Sequence, residues 1–250
     1  MKKNLIIVSL FFFLKTFSQN YAGRVVYKFS VEQALIDSKT IDNKDKKYNG
    51  MLRFINKSLE NNRFEFELKF QGSESIFLKQ ESLQNDNNKS YKIANALLKA
   101  DNVYYSNYKT NRRKISKNVY GENYIVVSEL DNLKWSLTNN SKLVGKYKCF
   151  KATSYLMIKN NKGIFKKEIT AWYAPDIPVN FGPKGYGGLP GLILELIEDN
   201  YRYLASKIVI INKKNKIKVN FSEKGKLVIQ DELDEIGQTL YKKKKFILQN

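Results

Sequence analysis

The stretch from Phe181 to Ile197, FGPKGYGGLPGLILELI, is the feature that most constrains what this chain can fold into. All four prolines of the chain lie between Ala174 and Gly191, and five of its thirteen glycines lie in the same segment. Proline fixes the backbone angle φ, whereas glycine opens the region of φ that other residues avoid. We therefore predict a loop of defined shape that leads into an apolar strand. Because Pro190 has no N–H to donate to a sheet, that strand begins at or after Gly191.

The glycines of this loop do not form a phosphate-binding motif. Neither a Walker pattern nor a GxGxxG string followed by a helix is present between Gly182 and Gly191. Either pattern, in that context, marks a backbone that cradles a phosphate. The loop is therefore predicted to be structural first.

Apolar periodicity elsewhere predicts a mainly β fold. The clearest strand is Arg63 to Phe70, RFEFELKF, in which apolar and charged residues alternate. Two pairs of long apolar runs predict hairpins: Lys146–Ile158 with Phe165–Tyr173, and Leu192–Ile197 with Tyr203–Ile211. We expect a single antiparallel, curved, half-barrel-like sheet of about eight to eleven strands. One or two short helices complete the expected fold.

Several shorter segments have weaker patterns. We predict strands at Met51–Ile55, Lys216–Val219 and Leu227–Ile229, helices at Ala94–Ala100 and Asp231–Leu240, a solvated turn at Arg112–Lys114, and a solvated basic tail at Lys242–Lys245.

The net charge of +20 comes mainly from lysine, since the chain has only six arginines. Nucleic-acid interfaces favour arginine, whose planar fork matches phosphate geometry. We therefore expect no nucleic-acid partner. Adsorption to an anionic membrane surface fits the charge better.

The chain has no histidine and a single cysteine, Cys149. These counts exclude His-based acid–base catalysis, histidine metal sites, an intrachain disulfide and a thiolate cluster. Cys149 itself is predicted to be a small buried residue, the usual environment of a free cysteine. We expect no cofactor and no metal.

The N-terminus has the pattern of a secretory signal peptide. Lys2 and Lys3 precede an apolar run, Leu5–Leu14, which is too short to span a bilayer. Thr16 and Ser18 supply small residues for cleavage before Gln19. We predict that residues 1–18 are removed and that residues 19–250 form one exported domain, either periplasmic, associated with the outer membrane or secreted.

The middle of the chain resembles the GLPGLI family of exported Bacteroidetes proteins. Trp135 is followed by GKYKCFKAT, which is similar to a Gly-Tyr-x-Cys-x-Lys-Ala element of that family. The block AWYAPDIPVNFGPKGYGGLPGLILEL then resembles the family's signature almost position by position. The residues that carry the resemblance are Trp135, Cys149, Pro178, Gly182, Pro183, Gly188, Leu189, Pro190 and Gly191. The resemblance implies export and a β-rich fold, but no activity.

Two carboxylates near the loop are candidates for chemistry. Glu195 stands alone in an apolar strand, where its pKa could be raised for proton transfer, or where it could pair with a lysine on a neighbouring strand. Asp176 lies between two prolines and suits a turn. Together they could form a carboxylate pair for hydrolysis.

Four aromatic residues flank the loop: Trp172, Tyr173, Phe181 and Tyr186. With Glu195 they could form a binding mouth for an apolar ligand or a partner. They equally suit a loop that folds back and caps the core of an open barrel.

Three functional hypotheses follow. The first is a non-enzymatic envelope protein that binds an apolar ligand or an envelope partner. The second is an accessory protein of an outer-membrane, TonB-dependent transporter that docks through a strand edge or the loop. The third is a hydrolase that uses Glu195 and Asp176.

Overall fold

The computed structural model describes residues 21–32, 46–81, 88–130, 133–160, 163–211 and 216–249. The predicted signal peptide, residues 1–18, lies outside these residues. In the described part of the chain, no helix has both the length and the apolar content to cross a membrane.

The described part of the chain is built on one twelve-stranded sheet. Its strands are β1 (Ala22–Val31), β2 (Glu65–Gln71), β3 (Glu74–Lys79), β4 (Val103–Asn107), β5 (Arg112–Val119), β6 (Glu122–Glu129), β7 (Ser136–Val144), β8 (Tyr147–Asn160), β9 (Gly163–Ala174), β10 (Leu192–Glu198), β11 (Tyr201–Ile211) and β12 (Lys226–Val228). The spatial order is β12-β6-β5-β4-β3-β2-β1-β11-β10-β9-β8-β7. The prediction of a mainly β, largely antiparallel sheet is confirmed, but β12 pairs with β6 in parallel.

The sheet curls strongly. Trp135, next to β7, and Arg113 of β5 bond to loop residues only two apart, Gly187 and Gly185. In a flat sheet β5 and β7 would lie about 43 Å apart, nine strand spacings of about 4.8 Å. Within the described residues the two edge strands β12 and β7 do not pair, so the curled sheet stays open.

Among the residues that the structure describes, three helices accompany the sheet: α1 (Lys46–Asn61), α2 (Lys89–Leu98) and α3 (Gln230–Gln249). The predicted strand at Met51–Ile55 is wrong, because these residues lie in α1. Apolar residues at positions 48, 51, 52, 55 and 59 recur at helical spacing, and a five-residue window was too short to detect it. The predicted basic tail Lys242–Lys245 is part of α3 rather than an extension beyond a helix.

Two other predictions are corrected. Arg112–Lys114 is not a turn but the start of β5. Lys216–Val219 does not join the sheet; the Ile217 N–H instead donates a hydrogen bond of 2.7 Å to the Gln71 side chain. This segment continues to Phe221, whose ring lies 5.6 Å from that of Tyr105.

One face of the sheet, here called the inner face, carries the aromatic core. Cross-strand partners share a face, and the inner face includes the pairs Tyr27–Phe66, Phe77–Tyr104 and Leu196–Tyr203. The Phe66 and Phe77 rings stack with 5.3 Å between centroids, and Tyr203 packs edge-on against both. Helix α2 extends this cluster, since Tyr91 stacks on Phe64 at 5.1 Å.

Both sheet edges have features that discourage pairing with another chain. β12 has only three residues. β7 has a register irregularity between Leu137 and Ser141, and its Lys142 points toward the sheet to reach Glu195. Short, bulged edge strands with inward-pointing charges resist edge-to-edge association.

Candidate functional site

The Pro/Gly loop, residues 175–191 between β9 and β10, folds back over the inner face. Its backbone pairs with the strand it precedes: the Leu192 N–H donates to the Ile177 carbonyl and the Ile193 N–H to the Phe181 carbonyl, both at 3.0 Å. Regular strand begins at Leu192, which confirms the prediction made from Pro190. The loop is therefore a fixed layer of the fold.

Three side chains from distant elements hold the loop. The Tyr108 hydroxyl donates to the Asn180 carbonyl at 3.0 Å, the Trp135 indole to the Gly187 carbonyl at 2.9 Å, and the Arg113 guanidinium to the Gly185 carbonyl at 3.2 Å. Burial raises the pKa of Tyr108 to about 12, so this hydroxyl stays a donor at physiological pH.

Close backbone approach explains two of the loop glycines. A Cβ at Gly187 would lie 2.2 Å from the Asn180 carbonyl oxygen and 2.3 Å from the Tyr108 hydroxyl. A Cβ at Gly191 would lie 2.3 Å from the Ala174 carbonyl oxygen. No larger residue fits either position without moving the backbone.

The aromatic residues of the loop are buried. Phe181 is 1% exposed and packs against Phe70 of β2 and Tyr108, with ring centroids 5.7 Å and 5.4 Å away. Tyr186 and Leu189 are also buried. The sequence left open a binding mouth or a loop that caps the core, and these buried side chains are those of a loop that caps the core.

A buried ionic cluster joins the loop to β10 on the inner face. Glu198 accepts a hydrogen bond from Lys184 of the loop and forms an ion pair of 3.2 Å with Lys167 of β9. Burial alone would raise the pKa of Glu198, but the two lysines outweigh it and hold the pKa below its ordinary value. Burial, and then the Glu198 carboxylate, raise the pKa of the Tyr186 hydroxyl well above its usual range.

Neither Glu198 nor Lys184 is predicted as a site residue from the sequence. Glu198 falls between the predicted runs Leu192–Ile197 and Tyr203–Ile211, in a turn, where carboxylates are ordinary. The sequence signal that could have identified Lys184 is its position as a lysine inside an otherwise apolar, glycine-rich loop. Its backbone has φ +54°, a left-handed conformation that is uncommon for a residue with a side chain.

Glu195 forms a second ionic cluster on the opposite, outer face. It is 2% exposed and pairs with Arg202 of β11 at 3.0 Å and with Lys142 of β7. Glu195 Oε2 and Arg202 Nε have no hydrogen-bond partner of suitable geometry. These groups therefore interact as ion pairs. Lys142 also lies 4.3 Å from the Trp172 ring centroid, a cation–π distance.

This arrangement differs from the predicted pairing of Glu195 with a lysine on a neighbouring strand. Its lysine partner is on β7, separated from β10 by two strands, and its neighbouring-strand partner is an arginine. Lys142 and Arg202 bring two cations to this carboxylate from different strands. They leave Glu195 suited to holding the strands together.

The predicted site residues do not converge on one place. Trp172 and Glu195 are cross-strand partners and share the outer face. Tyr173 instead pairs with Ile193. Phe181 and Tyr186 are buried against the inner face. Asp176 is exposed in the turn after β9. Within the described residues, no hydrogen bond or ion pair joins Asp176 to Glu195.

The described ranges contain no group of three or more His, Cys, Asp or Glu side chains able to hold a metal ion. Cys149 is fully buried and unpaired with another cysteine. Burial raises the pKa of its thiol to about 11.

Comparison with known proteins gives one family match and a fold likeness. Residues 162–195 match a family described as "Protein of unknown function (Porph_ging)". The matched segment covers β9, the Pro/Gly loop and the start of β10. The chain matches no curated protein sequence.

The fold is similar to part of PNGF-II. The structure of PNGF-II in space group C2 aligns with a TM-score of 0.53 and 14% identity over 87% of this chain, and the P21 structure aligns at 0.49 and 15% over 86%. The chain spans about one third of the length of PNGF-II. At this identity the C2 alignment shows a shared fold alone.

Proposed function

We propose that this chain is a non-enzymatic binding protein that docks a partner protein through an apolar surface on α1 and α2. The observation that carries the proposal is the exposure of Tyr48, Met51 and Phe54 of α1 and Leu97 of α2, by 54%, 52%, 39% and 39%. These four residues are called the helix face. Tyr48, Met51 and Phe54 recur every third residue, so successive members of this row are neighbours on α1. Neighbouring exposed apolar side chains mark interaction sites.

Buried and exposed residues are interspersed along α1. Asn49, Leu52, Ser58 and Leu59 are buried, so the helix packs against the protein along most of its length. Met51 and Phe54 are exposed beside them and give the helix apolar surface that a partner can cover.

Charge indicates what kind of partner fits. Arg53, Lys57 and Lys92 are exposed on the same two helices, and Glu60 is the exposed carboxylate beside them. A partner surface with an apolar centre and acidic groups around it complements this arrangement. Such complementarity sets specificity and the rate of association.

The filled inner face supports a protein partner over an apolar ligand. The Pro/Gly loop and the aromatic cluster occupy the surface that a ligand would use, and Phe181, Leu189 and Tyr203 are each 2% exposed or less. Placement of this partner in the cell envelope rests on the N-terminal pattern and on the resemblance to GLPGLI family proteins. A transporter subunit is one partner of that kind.

Site-directed photocrosslinking in the native host tests the proposal. A photoreactive phenylalanine replaces Met51, and the matched control replaces Tyr120, which is 55% exposed between β5 and β6. We expect a discrete protein adduct from position 51 alone, lost in Arg53→Glu. The purified partner should bind the unlabelled chain, with at least about tenfold weaker affinity for Met51→Asp.

Three outcomes contradict the proposal. Equal adducts at positions 51 and 120 would mean nonspecific contact. Crosslinks only to lipid, or only to a second copy of this chain, would assign the helix face to a membrane or to self-association.

A further inference from the structure

Residues 216–249, here called the C-terminal unit, wrap around the β6 side of the sheet. The residues before β12, called the strap, lie on the outer face, where the Phe221 ring is 5.6 Å from that of Tyr105. β12 then pairs with β6, and α3 follows on the inner face, where Leu233 lies in one apolar cluster with Val126. The unit therefore covers β6 on both faces and along its outer edge.

The C-terminal unit does not take part in the main core. Within the described residues, the main apolar cluster contains no residue after Ile210, and Tyr124, Val126 and Leu233 form a separate small cluster. Among these residues only the half-buried Ile115 packs against both clusters. Of the described side chains of the unit, Leu233 alone is buried. A segment with so little buried apolar surface opens at a lower free energy than the core.

The ion pairs that hold the C-terminal unit are exposed. Lys114 pairs with Glu223 at 2.6 Å and Lys226 with Glu122 at 3.1 Å, and both carboxylates are more than half exposed. The side-chain hydrogen bond of 2.8 Å from β5 to the first residue of α3 is also exposed. Exposed pairs add little stability, because water competes for the charges and ordering two long side chains costs entropy.

The strap, β12 and α3 are joined to one another. The strap runs directly into β12, and only Ile229 lies between β12 and α3. The Ile229 N–H donates to the Glu232 carboxylate at 3.0 Å, and the Leu233 N–H donates to the Ile229 carbonyl at 3.2 Å. Val228 of β12 packs against the same small cluster as Leu233. Loss of this packing therefore releases the three parts together.

We infer that the C-terminal unit is a movable cover, which opens as one piece and uncovers β6 while the main core stays folded. Opening makes β6 the edge of the sheet, with its buried residues Tyr124, Ile125 and Val126 exposed. A long apolar edge pairs readily with another strand, and native sheets keep such edges covered. The closed unit prevents pairing at this edge. The inference is independent of the helix face, which lies on α1 and α2.

Native-state hydrogen exchange, measured by mass spectrometry, tests the inference. In the wild-type chain we expect the amides of the strap, β12 and α3 to exchange together, at least about tenfold faster than those of β1, β2 and β10. Leu233→Ala removes the buried side chain of the unit and should speed exchange in all three parts by a further factor of about ten or more. Exchange in β1, β2 and β10 should not change.

Leu194→Ala is the matched control, because Leu194 is fully buried in the main core. It should speed exchange in β1, β2 and β10 without speeding exchange in the unit. Ile169→Val is a milder change at another fully buried core position, for use if Leu194→Ala does not fold. Trp135 and Trp172, the two tryptophans of the chain, lie outside the unit, so their fluorescence follows the main core. The urea midpoint of this fluorescence should fall in the core variants and stay unchanged in Leu233→Ala.

Three results would overturn the inference. The first is exchange of the unit at the rate of β1 in the wild-type chain. The second is faster exchange in α3 alone after Leu233→Ala, with the strap and β12 unchanged. The third is a Leu233→Ala chain that does not fold, or whose fluorescence midpoint falls as far as that of the core variants.

Discussion

The indole of Trp135 donates a 2.9 Å hydrogen bond to the carbonyl of Gly187 and so joins the segment before β7 to the Pro/Gly loop, 52 residues later. Arg113 and Tyr108 bond the same loop from β5 and the end of β4. The two ends of a curled sheet are therefore linked through one loop. Because the edge strands β7 and β12 do not pair with each other, the loop connects the two sides of the curled sheet in place of strand pairing.

Trp135→Phe should destabilise the protein by about 1–2 kcal/mol, because it leaves the buried Gly187 carbonyl without its donor. Tyr108→Phe should act similarly through Asn180. Since both bonds hold one loop, the double variant should lose measurably more or less than the sum of the single losses. Urea unfolding measures all three free energies. Strict additivity would show that the loop does not couple the two contacts.

Gly187→Ala should destabilise by about 3 kcal/mol, because the new Cβ meets backbone and a held hydroxyl rather than a flexible side chain. Gly50→Ala is the matched control. A Cβ there has nothing within 4 Å, and alanine favours the helix by up to about 1 kcal/mol. Thermal unfolding should move in opposite directions for the two variants. A Gly187→Ala protein as stable as wild type would show that the loop has room to relax.

Glu198 should make stability depend on acidic pH. Lys184 and Lys167 keep its pKa in the folded protein below the ordinary value of 4.5, although burial acts to raise it. A depressed folded pKa contributes stability that is present above the unfolded pKa and is lost as pH falls through the folded one. Glu198→Gln should cost about 3 kcal/mol at pH 7, because the partly buried Lys184 loses its carboxylate while Lys167 keeps only Asp199. The variant should also flatten the loss of stability below about pH 4.5. Parallel acid-limb curves for wild type and variant would contradict this role.

Glu195→Gln and Asp176→Asn should differ sharply in stability. Glu195 is buried between Lys142 and Arg202, so losing its charge should cost about 2 kcal/mol, reduced from the fully buried case because both cations are about one third exposed. Asp176 is exposed, and its neutralisation should change stability by less than about 0.5 kcal/mol. Chemical denaturation of both variants provides the comparison. Equal, small effects would remove the structural role of Glu195 and return it to consideration for chemistry.

Cys149 should resist thiol reagents in the native state. It is fully buried, and burial raises the pKa of its thiol to about 11, so little thiolate forms near neutral pH. We expect labelling by a maleimide at pH 8 only on unfolding, at a rate set by the opening of the fold. Rapid stoichiometric labelling of native protein would contradict the burial of this side chain.

Local patterns determined the long hairpins because both strands of each are apolar and adjacent in the chain. Tyr147–Asn160 with Gly163–Ala174, and Leu192–Glu198 with Tyr201–Ile211, lie within a few residues of their predicted bounds. The patterns did not predict β7 as a strand, since an edge strand with exposed faces has no apolar alternation to detect.

The sequence by itself determined the β class, the two hairpins and the position where β10 begins, because these depend on side-chain period and on the missing N–H of Pro190. Only the tertiary structure decided that the Pro/Gly loop closes the curled sheet, that Glu198 pairs with Lys184, and that Glu195 reaches Lys142 across two strands. These contacts join residues distant along the chain or separated by strands in the sheet. They depend on how far the sheet curls, a property that no local window of residues encodes.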